Sequence, residues 1–171
     1  TCCWMAAIQR GEEKHMSDEL GILEIRRIEA NVIKPIYQEM ADRLGAKQAQ
    51  EILGAAIEKA AIAQGASMAE SQGGKTSMRG FIDLFSLWTK GGALEVEVLE
   101  EADDHFDFNV TRCRYAEMYR EMGLGDIGHL LSCGRDGTFC EGYDDRITLE
   151  RGSTIMSGAG KCDFRYRFKE G

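Results

Sequence analysis

Apolar residues recur at helical spacing up to about residue 92 and then switch to alternation, and that change of period restricts the chain to a fold with helices first and strands after. Leu20, Leu23, Ile28, Val32, Ile36, Met40 and Leu44 form the first helical series, which Ser17 and Asp18 open and Gly45 closes. Pro35, the only proline, should kink or divide this helix. A second helix is expected from about residue 46 to 70, with Ile52, Leu53, Ala56, Ile57, Ala60 and Met68 as its apolar stripe. After SQGGKTSMRG (71–80) a short third helix carries Phe81, Leu84, Phe85 and Trp88 on one side. That aromatic side suits a core or a pocket wall, with core the expectation.

From Leu94 the pattern alternates. Leu94, Val96 and Val98 interleave with Glu95 and Glu97, and Phe106, Phe108 and Val110 interleave with Asp107 and Asn109, with residues 100–105 as an acidic turn. Helical character returns over 114–131, broken at Gly123 and Gly125, with a short helix over 126–131 leading into Cys133. Two further strands come after it: Ile147 and Leu149 alternate with Thr148, while Cys162, Phe164, Tyr166 and Phe168 alternate with Asp163, Arg165 and Arg167. SGAG (157–160) is the turn between them. The expected architecture is α+β, with N-terminal helices packed on a small antiparallel β-sheet. Residues 1–15 precede Met16 and read as an extension, with 16–171 as one domain; Cys2 and Cys3 are then incidental.

The 171 residues suffice for one core, and no apolar run reaches the roughly 20 residues of a membrane span. A soluble, cytoplasmic protein is expected. Residues 1–92 are nearly neutral, with 11 Lys/Arg against 12 Asp/Glu, whereas residues 93–171 carry 10 against 17. That acidity argues against a nucleic-acid partner. The chain has six cysteines and enough aliphatic residues to fold without staples, so free thiols are expected.

Three of those cysteines sit in polar motifs of the C-terminal half: RCRYAEMY (112–119), GHLLSCGRD (128–136) and KCDFRYRF (161–168). Thiols among Arg, Asp and Tyr suit a thiolate nucleophile or a metal site. Alternation places Cys162 on the apolar face of its strand, where ordinary core packing also accounts for it, with Asp163 opposite. Cys113 should point away from Phe106, Phe108 and Val110, beside a helix start that would favour its thiolate. Cys133 has His129 four residues before and Asp136 three after, which supplies a nucleophile, a base and an orienting charge in one loop. His129 also reads as a surface helix residue, and Asp103, Asp104 and His105 as a solvated turn. Zinc held by Cys113, Cys133 and Cys162 is the alternative, although spacings of 20 and 29 residues lack the close pairing of structural zinc sites.

The segments FDFNVTRCRYAEMYREMGLGDIGHLLSCGRD and TIMSGAGKCDFRYRF closely resemble the L-2-amino-thiazoline-4-carboxylic acid hydrolase family, and residues 22–44 are similar to that family's N-terminal part. The resemblance implies hydrolytic opening of a five-membered thiazoline ring to N-carbamoyl-cysteine, within L-cysteine metabolism. It covers most of the chain from residue 17 onward. The reacting carbon is isothiourea-like and open to attack by a thiolate or an activated water. On that reading Cys133 attacks, Asp136 or Asp163 holds the amidine-like nitrogens, and His129 moves protons. Arg112 or Arg151 grips the substrate carboxylate, Tyr115 and Thr154 complete the binding set, and Cys113 and Cys162 line the pocket. No cofactor is needed unless zinc is bound. A small-molecule or metal sensor without turnover is the competing class, and the apolar N-terminal stripes would serve a core or a homo-oligomer equally well.

Overall fold

The computed structural model describes residues 20–169, so the expected helix start at Ser17 and the residues around Met16 lie outside the described part. Five α-helices and a four-stranded antiparallel sheet make up the expected α+β arrangement. Helices α1 (Ile22–Leu44), α2 (Ala46–Ser71) and α3 (Met78–Thr89) precede strands β1 (Leu94–Glu101) and β2 (His105–Cys113). Helix α4 (Arg114–Glu121), a π-helical turn (His129–Cys133) and α5 (Arg135–Tyr143) come next. Strands β3 (Ile147–Glu150) and β4 (Cys162–Phe168) complete the sheet in the order β1-β2-β4-β3. None of the described helices is long and apolar enough to cross a membrane.

Helix α1 runs unbroken through Pro35, which lies on its exposed side, so the proline does not divide it. Its buried residues are Ile22, Leu23, Arg26, Ala30 and Tyr37, whereas Ile28, Val32, Ile36 and Leu44 are exposed. Four residues of the expected stripe therefore face outward, while Leu23 and Met40 join the core, and the inward face includes an arginine. Helix α2 corrects the expectation similarly. Its buried ridge is Ala49, Leu53, Ile57, Ala61 and Gly65, at strict four-residue spacing, and Ile52, Ala56 and Ala60 are exposed. Small residues on that ridge let α5 approach backbone to backbone. A Cβ on Gly142 would sit 1.9 Å from the Ile62 oxygen, and one on Gly65 would sit 2.2 Å from the Phe139 oxygen. Only glycine fits at this crossing.

Two core clusters result. One joins α1, α2, α4 and the segment through Leu124, Ile127 and Leu131. The other joins the inner sheet face, through Phe106, Phe108, Val110, Cys162 and Tyr166, to α3 and α5. Alternation holds in β4 and as far as Val110 in β2, while Val98 is exposed on β1, at one edge of the sheet. Strand pairing also narrows the β1–β2 turn to residues 102–104. The helical stretch expected over 114–131 ends at Glu121, where Gly123 takes a left-handed conformation (φ 71°).

Candidate functional site

A break in strand register brings the first thiol inward. Glu95 pairs with Arg112 but Val96 pairs with Val110, so Thr111 is an extra residue in β2 and reverses the alternation after it. Cys113 consequently packs against both core clusters on the same side as Val110, not on the opposite face as alternation predicted. Cys162 opens β4 inside the second cluster, and its Sγ accepts a hydrogen bond from the Ile155 amide at 3.2 Å. Cys133 ends the π turn and packs against the first cluster. Cys113, Cys133 and Cys162 lie close enough to feel one another's charge and that of Asp136, so the three motifs do converge.

Their setting favours the protonated thiol. Burial pushes Cys113 up to about 11, although the Ala116 and Tyr115 amides at the start of α4 pull the other way. Burial and then the Asp136 charge push Cys133 up to about 12, against the opposing charge of Arg151. Burial also raises Cys162. Among the described residues, no group of three His, Cys, Asp or Glu side chains is arranged to hold a metal ion.

The remaining expected residues separate into two sets. Asp136 and Arg151 form a partly buried ion pair at 2.5 Å, and the second Arg151 nitrogen donates to the Cys133 backbone oxygen at 2.9 Å. The Arg151 guanidinium also lies 5.0 Å from the centre of the Phe164 ring. The other residues turn elsewhere. His129 is exposed, and Arg112 forks onto Glu117 at the surface (2.8 and 3.2 Å). Asp163 accepts from the Gly152 and Ser153 amides and the Ser153 hydroxyl, a cap that lowers its carboxyl to about 2. Thr154 bonds Ser157, and buried Tyr115 donates to the Trp88 carbonyl at 3.0 Å.

Beside the Asp136–Arg151 pair lies a cavity of about 60 Å³. Phe81, Phe85 and Trp88 of α3, Phe139 of α5, Phe164 and Tyr166 of β4, and Leu94 form its apolar wall. The aromatic side of α3 thus serves as pocket wall as well as core. Arg26, Gln64, Arg135 and Asp136 form the polar end. Arg26 donates from one nitrogen to both Glu29 oxygens (3.0 and 2.8 Å) and from the other to Gln64 at 3.0 Å. Arg135 has one good bond, Nε to the Leu131 oxygen at 3.0 Å; its terminal nitrogens reach Gln64 and Glu29 only at 3.4 and 3.5 Å. Both arginines are almost fully enclosed, at 4% and 8% exposure, and they share the single carboxylate of Glu29. Burial and the neighbouring Arg26 charge lower the Arg135 pKa, which is the signature of an under-neutralised guanidinium.

Of this polar end, sequence reading found Asp136 and missed Arg26, Gln64 and Arg135. Its signal was an arginine at position 26, in register with Leu23, Ala30 and Tyr37 on the true inner face. The sequence model of the L-2-amino-thiazoline-4-carboxylic acid hydrolases matches residues 25–166, a span that includes every element of this site. The chain belongs to that family. No curated protein matches it. Among solved structures, the phenol-responsive sensory domain of the transcription activator PoxR, with phenol bound, is similar at a TM-score of 0.51 and 14% identity, covering 80% of this chain and 73% of that one. A trafficking protein particle complex subunit 3 from Naegleria fowleri, covalently bound to palmitic acid, aligns at a TM-score of 0.49 and 10% identity, covering 85% and 95% respectively. The PoxR likeness is one of fold.

Proposed function

We propose that this family member is a hydrolase that opens a small cyclic amidine carrying a carboxylate, such as L-2-amino-thiazoline-4-carboxylate, in the aromatic cavity. The observation that carries the reading is the pair of enclosed guanidiniums, Arg26 and Arg135, sharing one Glu29 carboxylate. With Arg151 neutralised by Asp136, the polar end holds one positive charge in excess, and a ligand carboxylate pairs with it. The carboxylate docks on Arg135, whose terminal nitrogens have the weakest existing bonds, and the flat ring lies among Phe85, Trp88 and Phe139.

Asp136 is the basic group that lines the same cavity, and burial raises its carboxyl despite the Arg151 charge that pulls it down. A raised carboxyl held in a fixed orientation suits general acid–base work. Asp136 takes one proton from water as the water oxygen bonds the C2 carbon, while the electron pair of the C2–nitrogen double bond moves onto the ring nitrogen, which takes the second water proton. The tetrahedral centre then collapses, the C2–sulfur bond breaks, and the sulfur takes the proton back from Asp136. Ring plus water gives N-carbamoyl-cysteine with a free thiol. Cys133, held as a thiol, contributes its backbone oxygen to positioning Arg151.

The aromatic wall favours a second reading, binding without turnover, as in the phenol-responsive sensory domain whose fold is similar. One experiment separates them: thiol release from L-2-amino-thiazoline-4-carboxylate, run alongside a titration of Trp88 fluorescence with the same compound. Release by the wild type, with binding weakened about tenfold or more in Arg135→Met, supports the hydrolase. Binding without release supports the sensor. Tight binding that ignores Arg135→Met overturns the proposed carboxylate site.

A further inference from the structure

The outer side of α1 has no role in the cavity, yet it is the most apolar exposed surface of the described helices. Ile28, Val32 and Ile36 are 56%, 60% and 53% exposed, and Pro35 lies among them at helical spacing. Three large aliphatic side chains in one exposed row are unusual on a helix that already buries its other side. Charge identifies the occupant. With Arg26 and Glu29 paired on its inner side, helix α1 has three other bases and three other acids within a chain of net charge −8, so two copies of this acidic protein can approach there without net repulsion. An ion pair lies at each end of the row, Glu24 with Arg27 and Glu39 with Arg43, and Asp42 is exposed beside the second pair.

We propose that two copies of this chain pair through α1 about a two-fold axis, with the helices antiparallel. A register that sets Val32 against the second copy's Pro35 also sets Glu24 against Arg43 and brings Arg27 beside Glu39. Ile28 then reaches Pro35 and Ile36 across the axis. An acid and a base at each end of an apolar row match the same surface reversed, which is the self-complementarity a two-fold contact requires. Such a row buries its side chains against a copy of itself and keeps the charged side chains at its rim.

Sedimentation velocity on the full chain across the micromolar range tests the pairing. The wild type should sediment as a dimer, and Val32→Glu should weaken association by about a hundredfold or more, because two carboxylates would be buried at the axis. Val32 is exposed in the single chain, so circular dichroism of the variant should match the wild type. Reversing one charge with Arg43→Glu should weaken the dimer by roughly threefold to tenfold, and adding Glu24→Arg should restore it. That rescue is specific to pairing between chains, because the double variant still lacks both ion pairs within the helix. A monomeric wild type, or a dimer indifferent to Val32→Glu, overturns the proposal.

Discussion

Replacing Gly142 by alanine should be the most damaging single-methyl change in this protein, while the same replacement five residues earlier in the same helix should help. Placed on Gly142, the added carbon would lie 1.9 Å from the Ile62 oxygen, 2.7 Å from its carbonyl carbon and 3.0 Å from the Ala66 nitrogen. All three are backbone atoms of α2, which cannot move aside as a side chain can. Helices α2 and α5 must therefore separate by more than an ångström at their tightest contact. Overpacking of that kind costs about 1–3 kcal/mol, and a clash this deep against backbone belongs at or above the top of the range. At about 2–4 °C per kcal/mol for a chain of this size, a penalty of about 3 kcal/mol lowers Tm by roughly 6–12 °C. Gly137, in contrast, has open space where its Cβ would be, so alanine there should add about 0.5–1 kcal/mol through helix propensity alone. Thermal and urea unfolding of the two variants side by side is the assay. If Gly142→Ala melts within about 2 °C of the wild type, or if both variants shift the same way, the close-crossing argument fails.

Turnover should rise with pH as Asp136 loses its proton, at a higher pH than an ordinary carboxylate would require, and then level off. A rate that kept climbing toward about 12 in a stopped-flow pH series would instead identify the Cys133 thiolate as the attacking group. Cys133→Ala should keep its fold and retain turnover within about tenfold, and loss of activity in a folded variant would return sulfur to the mechanism. Asp163→Ala should destabilise the protein at neutral pH. The depressed Asp163 carboxyl contributes stability that is present above the unfolded value near 3.8 and is lost as pH falls toward about 2, so the penalty should vanish there. Equal penalties in urea melts at neutral pH and near pH 2 would refute that cap.

Periodicity was enough to order the elements, because alternation marks most of each strand and glycine caps at least one end of α1, α2 and α5. It failed on which face of α1 is inside. The helix has an apolar row on each side, and the row with Ile28, Val32 and Ile36 is the more hydrophobic of the two, while the inner one includes Arg26 and Tyr37. Burying an arginine is worthwhile only where Glu29 and Gln64 receive it; Glu29 is three residues on in the same helix, but Gln64 comes from α2, which no local pattern connects to Arg26. The extra residue at Thr111 is equally invisible from sequence, since it changes only which strand residues pair, yet it decides where Cys113 points. Asp136 and Arg151 could be picked out because they stand beside the cysteine motifs. Arg135, one residue from Asp136, became significant only once the cavity showed how few bonds its terminal nitrogens make.

The π turn at His129–Cys133 closes with the Gly134 amide on the His129 oxygen at 2.8 Å, one residue wider than an α turn. A widened turn of this kind behaves as a single-residue insertion absorbed into a helix. Deleting one residue from it would tighten the turn and rotate helix α5 by about 100°. Arg135 and Asp136 open that helix, so the rotation would swing both away from the cavity while the aromatic wall contributed by α3 and β4 stayed in place. Chain length across this one turn, more than the identity of any residue in it, thus fixes whether the cavity of this chain meets a charged end.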